Sequence, residues 1–445
     1  MRRSRPARVL VVAALLLGVL AACADDDSGR RFANEPPPTL ETVAEASPTR
    51  MPRPTSTPAT PLASPIPVEE LLTNRGGSQP IALAVDQSVY LFASNQSQPE
   101  RIWQGDGELL DIALAPDGER VAILVQEESG LSLLVLATGG EELARFDGLD
   151  RLASSSGSPV PSAAGAGGIA WSPASDAVMV ALPTGGVALV SLGEAEPQLV
   201  IGPNRAPAPS EIVWSPDGRS IAYLDSDGSG SAAGIVVASV GAAPFDPVQI
   251  LPADPSGRQT VRDLAWLPDN KTLLYSTGST RGDLSAGGDL FAISTHGGSP
   301  RLVAASARVA PVSAIGHFAP SPDGQVVAYT VVAPSDDGQP ITTFWVQQID
   351  GEAMLNIPVP AAADISGLWW TPAGLVIRAD PRQSLSEDQE PGGFALLLAE
   401  PGGNVITLYD SAAPAGTPVA SPAASPVASP SASPAAASPA AEEAE

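Results

Sequence analysis

The sequence has one cysteine, Cys23, and two histidines, His296 and His317, in 445 residues, and only 4% of it is aromatic. A lone thiol closes no internal disulfide and builds no thiolate cluster. Two imidazoles leave little room for histidine chemistry, and as a metal pair they lack any accompanying His or Cys. Bases are scarce as well: 23 Lys and Arg stand against 49 Asp and Glu, a formal charge of −26. Arg2, Arg3, Arg5 and Arg8 fall in a leader that export would remove, leaving −30. So acidic a surface repels phosphates instead of displacing their counterions, which argues against nucleic acid as a partner.

What is present begins with that leader. Met1-Arg2-Arg3-Ser4-Arg5 is followed by the apolar run Val9 to Leu20 and by small residues up to Cys23. This is the three-part layout of an export signal, and the run is too short for a comfortable membrane span. Leu20-Ala21-Ala22-Cys23 resembles the lipobox of bacterial lipoproteins, which implies cleavage after residue 22 and acylation of Cys23. The implied location is extracytoplasmic, lipid-anchored to a bacterial membrane, with the only thiol used by the anchor. At about 0.8 kcal/mol per buried methylene, several acyl chains would hold stably.

Residues 23–66 carry Asp25-Asp26-Asp27, Pro36-Pro37-Pro38 and Pro/Thr/Ser repeats without apolar periodicity. Such a segment buries too little apolar surface to offset ordering entropy, and its prolines keep it extended, so a disordered tether is expected. Residues 412–445 are Ala-Ser-Pro repeats closing in Glu442-Glu443-Ala444-Glu445 and read as a disordered tail.

Between them, residues 67–411 repeat. Ile112 to Gly118, Ile169 to Pro173, Ile212 to Gly218, Leu264 to Asn270, Phe318 to Gly324 and Leu368 to Pro372 align, with proline-to-proline intervals of 57, 43, 52, 54 and 50 residues. Those are blade-sized periods. After each Pro-Asp-Gly turn comes an apolar strand such as Ile221-Ala222-Tyr223-Leu224, then a third such as Gly234 to Val237, a glycine turn such as Gly297-Gly298, and a fourth such as Arg301-Leu302-Val303. Pro presets φ, Asp caps the turn and Gly accepts positive φ. Four short strands bounded by turns make an antiparallel blade, and blades hide their faces by packing around an axis. The expectation is an all-β propeller of four-stranded blades.

Trp214-Ser215-Pro216-Asp217-Gly218 followed by an apolar strand resembles the repeat of TolB-type propellers, related to WD-type repeats. The resemblance covers roughly residues 81 to 410. Two units depart from it: Ala174-Ser175 replace Asp-Gly, and the unit at Ala373-Gly374 is about two residues short. Upstream, Ile81 to Val85, Val89 to Ala93 and Arg101 to Trp103 read as strands two to four of another blade, its first strand missing or hidden near Val68 to Leu72. Seven blades are expected, six being the alternative common in the TolB group. TolB-type relatives imply protein–protein scaffolding in the envelope, and a likeness to LpqB-type lipoproteins implies partnership with a sensor kinase.

Chemistry is sparse. Prolyl peptidases carry a similar propeller, but their catalysis sits on a hydrolase domain with Gly-x-Ser-x-Gly, and no such domain follows here. His296, in a glycine turn, and His317, ahead of a repeat motif, read as turn or surface residues. Asp225 to Gly230 starts like a calcium loop, yet its twelfth position is Val236 in place of Glu. Arg281-Gly282-Asp283 spells an adhesion tripeptide by chance. Trp171, Trp214, Trp266 and Trp370 share one repeat position, where packing between blades is favoured over a sugar-binding funnel.

No catalytic, cofactor or metal residue is therefore expected. Asp117, Asp217, Asp269 and Asp323 share a repeat position and would form an acidic ring on one face, though turn capping accounts for the same residues. Glu387, Asp388 and Glu390 lie in the long acidic loop Arg378 to Gly393, where a specific contact would fit. The combined expectation is a non-catalytic, monomeric, membrane-anchored scaffold or sensor accessory that binds an envelope protein or glycan, without cofactor. The alternatives are a glycan or small-ligand receptor and a channel-based hydrolase or lyase. Channel lining separates them: convergent carboxylates favour an enzyme, exposed aromatics a glycan, and a filled apolar axis a scaffold.

Overall fold

A computed structural model describes residues 64–411 except 74, 78–79, 94–97, 154–167, 183–185, 195, 203–208, 227–232, 242–245, 255, 257–258, 280–287, 336–338, 361–362 and 382–392. The leader, Cys23, the tether and the tail lie outside the described residues. So do Arg281-Gly282-Asp283, most of Asp225 to Gly230, and Glu387, Asp388 and Glu390.

The described chain is all-β and forms seven antiparallel sheets, each a blade. Blade 1 holds β1 (Ile81–Val85), β2 (Ser88–Phe92) and β3 (Glu100–Gln104). Blade 2 holds β4 (Glu108–Leu114), β5 (Arg120–Glu127), β6 (Gly130–Ala137) and β7 (Glu142–Phe146), and blade 3 holds β8 (Ile169–Trp171), β9 (Ala177–Ala181), β10 (Val187–Ser191) and β11 (Gln198–Ile201). Blade 4 follows with β12 (Ser210–Trp214), β13 (Ser220–Ser226), β14 (Ala233–Ser239) and β15 (Val248–Leu251). Blade 5 is β16 (Gln259–Trp266), β17 (Thr272–Ser279), β18 (Leu290–Ser294) and β19 (Arg301–Ala304). Blade 6 is β20 (Ala314–Pro320), β21 (Val326–Pro334), β22 (Pro340–Gln348) and β23 (Met354–Ile357), and blade 7 is β24 (Ala363–Thr371), β25 (Gly374–Pro381), β26 (Ala395–Ala399) and β27 (Val405–Asp410).

Each strand turns alternate side chains to opposite faces of its sheet, so one blade feeds two interfaces. In β5, Val121, Ile123 and Val125 pack with Ala82, Val89 and Leu91 of blade 1, while Ala122 and Leu124 pack with Trp171, Val178 and Val180 of blade 3. The pattern repeats around the ring, and Val376, Leu396 and Leu398 of blade 7 close it on Ile81, Leu83 and Phe92 of blade 1. Each fully buried aliphatic side chain contributes on the order of 2 kcal/mol, so the seven interfaces share the stabilisation. Among the described residues no strand of blade 7 pairs with blade 1, so closure rests on side chains, including Arg378, which donates to the Ala84 carbonyl.

In blades 2 to 6 the repeated turn keeps one backbone geometry whatever residue it holds, whereas the shortened turn of blade 7 has Gly374 at 142°. Gly118, Gly218 and Gly324 have φ of 73°, 71° and 69°. Ser175 and Asn270 occupy the same position at 59° and 58°. These two give a return for that strain: Ser175 Oγ accepts from Asp117 N of blade 2, and Asn270 Oδ1 accepts from Asp217 N of blade 4.

Of the two alternatives the sequence left for the first strand of blade 1, the structure agrees with the missing one: among the described residues blade 1 has three strands, and Val68 to Leu72 does not supply a fourth. Val68–Glu70 is a 3-10 turn, after which Leu71 and Leu72 are buried between blades 6 and 7 beside Val326, Phe344 and Ile377. The physical reason is the next few residues. Arg75, 8% exposed, donates to the Leu71 and Glu70 carbonyls and pairs with Asp323 of blade 6 at 2.9 Å, fixing this strap across two blades.

Candidate functional site

The tryptophans pin the blades together. Trp171, Trp214 and Trp266 donate their indole N–H to the carbonyls of Ala113, Ala170 and Val213, each on the inner strand of the preceding blade, at 2.9, 3.0 and 3.2 Å. Trp370 does the same to Ala319 at 3.1 Å. An indole with its N–H satisfied and its ring wedged between sheets is a packing device.

The repeat aspartates cap their turns. Asp117 accepts from the Glu119 amide and pairs with Arg120; Asp217 accepts from Ser215 Oγ and the Arg219 amide. Asp269 accepts from the Lys271 and Thr272 amides, and Asp323 from Ser321 Oγ, the Gln325 amide and Arg75. Burial opposes ionisation at Asp117, Asp269 and Asp323, but these donors outweigh it and hold all three carboxyls below the usual range. At Asp217 the Ser215 hydroxyl is the leading cause of the lowering. The contacts from Asp117 to Ser175 and from Asp217 to Asn270 show that turns of neighbouring blades meet on one face. His296 is exposed in its turn, beside Thr295.

A different set of side chains converges on the axis. Five residues before the repeat proline, on the inner strands of blades 2 and 4 to 7 and just ahead of that of blade 3, stand Asp111, Gly168, Glu211, Asp263, His317 and Gly367. The pairing register shifts here in β4, β12, β16, β20 and β24. A bulge re-aims the side chain at its centre, and Glu211 shows the strain, with φ of 49° in a residue that is not glycine.

Electrostatics show where these groups point. The Glu211 carboxyl is pushed up to about 7, first by burial and then by the charges of Asp263 and Asp111. Asp111 sits on blade 2 and Glu211 on blade 4, so the charge of one reaches the other across the width of blade 3. Burial pushes Asp111 up to about 6 against the pull of two amides that donate to it, Ile112 at 2.8 Å and Ile169 of blade 3 at 2.9 Å. Asp263 is also raised by burial, with His317 and Arg262 pulling the other way. Glu211 and His317 are nonetheless exposed to water and Asp111 and Asp263 half-buried. Side chains that water touches and protein flanks on most sides line a channel. Among the described residues no three of His, Cys, Asp and Glu are close enough to share a metal ion.

The sequence reading missed this group because it weighed the Pro-Asp-Gly motif and stopped at its edge. The signal was one column away: aligned on the prolines, three carboxylates and a histidine fall in register. Their chemistry is that of an acidic bore, three carboxyls and one imidazole facing one another in reduced solvation.

Beside the bore lies a cavity of about 410 Å³, lined by Ala82, Leu83 and Ala84 of β1, by Ile112 to Pro116, and by Ser366, Trp369 and Arg378 of blade 7. Arg378 donates to the Ala84 carbonyl at 2.6 Å, pairs with Asp380 at 3.0 Å and stacks on Phe394.

No family model matches the chain, and no curated protein matches it in sequence. Solved structures do match. A prolyl endopeptidase aligns at 11% identity and TM-score 0.50 over 76% of this chain and 50% of that one, so this chain spans half of it. An oligogalacturonate lyase from Vibrio parahaemolyticus aligns at 12% identity and TM-score 0.50 over 76% of this chain and 87% of that one. TolB from Acinetobacter baumannii aligns at 14% identity over 65% of this chain and 63% of that one, with a TM-score of 0.40, too loose to carry an argument. At such identities the first two show the fold alone.

Proposed function

We propose that the protein is a non-catalytic, lipid-anchored, extracytoplasmic propeller that binds a partner protein by taking a cationic group of it into the axial channel. The observation that carries this is the convergence of Asp111, Glu211 and Asp263 on one bore. Carboxyls that repel one another and are poorly solvated are stabilised when a positive group enters, which gives a ligand a differential affinity to exploit. Lys or Arg of a partner supplies that group, and the chain's overall acidity steers such a partner in. The lipobox supports the anchor, and the tether supports stand-off from the membrane. Among the described residues no helix is long and apolar enough to cross a membrane.

The test is a crosslinked pull-down of the full acylated chain from its native membrane, repeated with Glu211→Gln and Asp263→Asn. A partner recovered in stoichiometric amount by the wild type and lost by both variants supports the reading. Equal recovery by all three removes the channel from it.

One observation favours a second reading, a channel-based hydrolase or lyase. A carboxyl near 7 beside a carboxylate–imidazole pair is suited to general acid–base work, and convergent carboxylates are the lining that an enzyme needs. Turnover of uronate oligosaccharides or peptides by the full chain, abolished by Glu211→Gln, would establish it in place of the first.

A further inference from the structure

Among the described residues, blade 1 lacks the strand that its six companions all have nearest the axis. Its β1 aligns with the second strands of the others: Ala82 packs against Val121, Ile123 and Val125 of β5, and Ile81 and Leu83 pack against Val376 of β25. In blades 2 to 7 another strand lies on the axial side of this position; in blade 1, β1 ends the sheet. The space there is the cavity of about 410 Å³, bounded by β1 on one side and by the inner strands β4 and β24 of the flanking blades on the others. The cavity has the location and the walls of a missing strand.

The backbone of β1 is turned toward it. The Ala84 carbonyl faces the gap, because Arg378 reaches across from blade 7 to donate to it. In an antiparallel strand every second residue directs both its N–H and its C=O to the same side, so Ala82 presents its pair to the gap as well. Ala82 to Ala84 offer about 10 Å of edge at roughly 3.3 Å per residue. No described strand pairs with this side of β1, and such an edge with small side chains accepts an added strand, for which Arg378 would release the Ala84 carbonyl.

We propose that this edge takes an extended, basic segment of a partner protein, which completes blade 1 as its innermost strand. The proposal rests on the protein-binding reading and names its site and ligand chemistry. The chain's own remote segments are poor candidates. Residues 412–445 carry proline at 414, 418, 422, 426, 430, 434 and 439, and the proline-free stretches of the tether, 24–35 and 39–47, are net acidic and so repelled by a negative bore. Proline has no N–H to donate and is excluded from a strand paired along its length. The charge of the bore selects the partner: Asp111 directly precedes Ile112 of the cavity wall, and Glu211 and Asp263 stand across from blade 1. Arg378 is already balanced by Asp380, so the uncompensated charge is negative, and Lys or Arg flanking short apolar residues complements it.

The probe is a peptide, Lys-Val-Thr-Val-Thr-Val-Lys, with one Val replaced by photo-leucine and a fluorophore at one end, offered to the full chain. Four versions are compared: the parent, two N-methylated on alternate backbone amides, one in each of the two possible registers, and one with Glu in place of both Lys. The expected result is binding of the parent, at least a tenfold loss on N-methylation in one register, a similar loss for the Glu version, and crosslinks within Ala82–Ala84 or Ala113–Pro116. Ser366→Trp, which fills the mouth of the cavity, should abolish binding where Ser366→Ala leaves it intact. Asp111→Asn should narrow the preference for Lys over Glu while keeping the N-methyl penalty. Parent binding that ignores N-methylation and crosslinks elsewhere overturns the added strand and leaves a purely electrostatic site in the channel. No binding of any version, while the pull-down still recovers its partner, overturns this inference and spares the protein-binding reading. Crosslinks from photo-leucine placed at position 366 of the full chain to its own residues 412–445, or to an isotope-labelled second copy, would assign the edge to those occupants and also overturn it.

Discussion

Replacing Glu211 by Gln tests whether the axial carboxyls repel one another across the bore. In the folded ring the Glu211 carboxyl is raised from 4.5 to about 7, by burial first and by Asp263 and Asp111 second. At about 1.4 kcal/mol per factor of ten, a rise of that size is on the order of 3 kcal/mol against the ionised form. Glu211 is exposed to solvent, and screening cuts this to roughly 1 kcal/mol. Because the folded value lies above the unfolded one, the stabilising contribution is fully present below about pH 4.5 and is lost as pH rises through about 7. Glutamine stays neutral, so the variant keeps what the wild type loses. With unfolding entropy near 2.1 cal/mol/K per residue, a ring of roughly 350 residues should gain about 1–2 °C in Tm at pH 8 and nothing at pH 4.5. Scanning calorimetry of both proteins from pH 4.5 to 8.5 reads this directly. Glu211→Gly adds a control: it removes the φ strain too and should bring a further gain, about 1 kcal/mol, at every pH. Equal Tm differences at the two ends of the pH range, or a loss at pH 8, would refute the argument that these groups face a common channel.

Trp266→Phe should cost about 1–3 kcal/mol in urea unfolding, from the lost bond to the Val213 carbonyl and the void left by the smaller ring. Arg75→Met should cost about 2 kcal/mol in the same assay, less than breaking a fully buried pair because Asp323 keeps 28% exposure; no change would mean that Leu71 and Leu72 alone hold the strap. Cys23→Ala should move the protein from membrane to soluble fractions on cell fractionation, and unchanged retention would overturn the anchor.

The ring was legible in the sequence because its turns are chemical. Pro-Asp-Gly recurs where the chain must reverse, and the structure keeps its positive φ even at Ser175 and Asn270, where the glycine is gone. Tryptophan recurs because a flat ring fills the wedge between sheets, which is how Trp171, Trp266 and Trp370 lie buried. The axial group was harder to read, because its column mixes Asp, Glu, His and Gly and so has no hydropathy signature. What its members on blades 2 and 4 to 7 share is a bulge, a property of backbone register that no residue type announces. His317 shows the cost: read as a turn or surface residue, it is exposed, but on the inner strand β20 near Asp263. Val68 to Leu72 misled for the opposite reason. Its apolar residues promise a strand, but Arg75 finds Asp323 and turns Leu71 and Leu72 into a wedge between two other blades.

That wedge makes the molecule mechanically one-sided. Tension arriving along the chain ahead of Ser64 does not reach blade 1 first. It meets Gln348, whose amide both accepts from Ile66 N at 3.1 Å and donates to the Ser64 carbonyl at 2.9 Å. Next in line come Leu71 and Leu72, then Arg75, all seated on blades 6 and 7. Tension from the other end, at Ser411, falls at once on β27, the outer strand of blade 7. A pull from the front must therefore peel a strap before it can part the seam between blades 1 and 7, while a pull from the back unzips a single hairpin and draws Ile406, Leu408 and Tyr409 away from that seam directly.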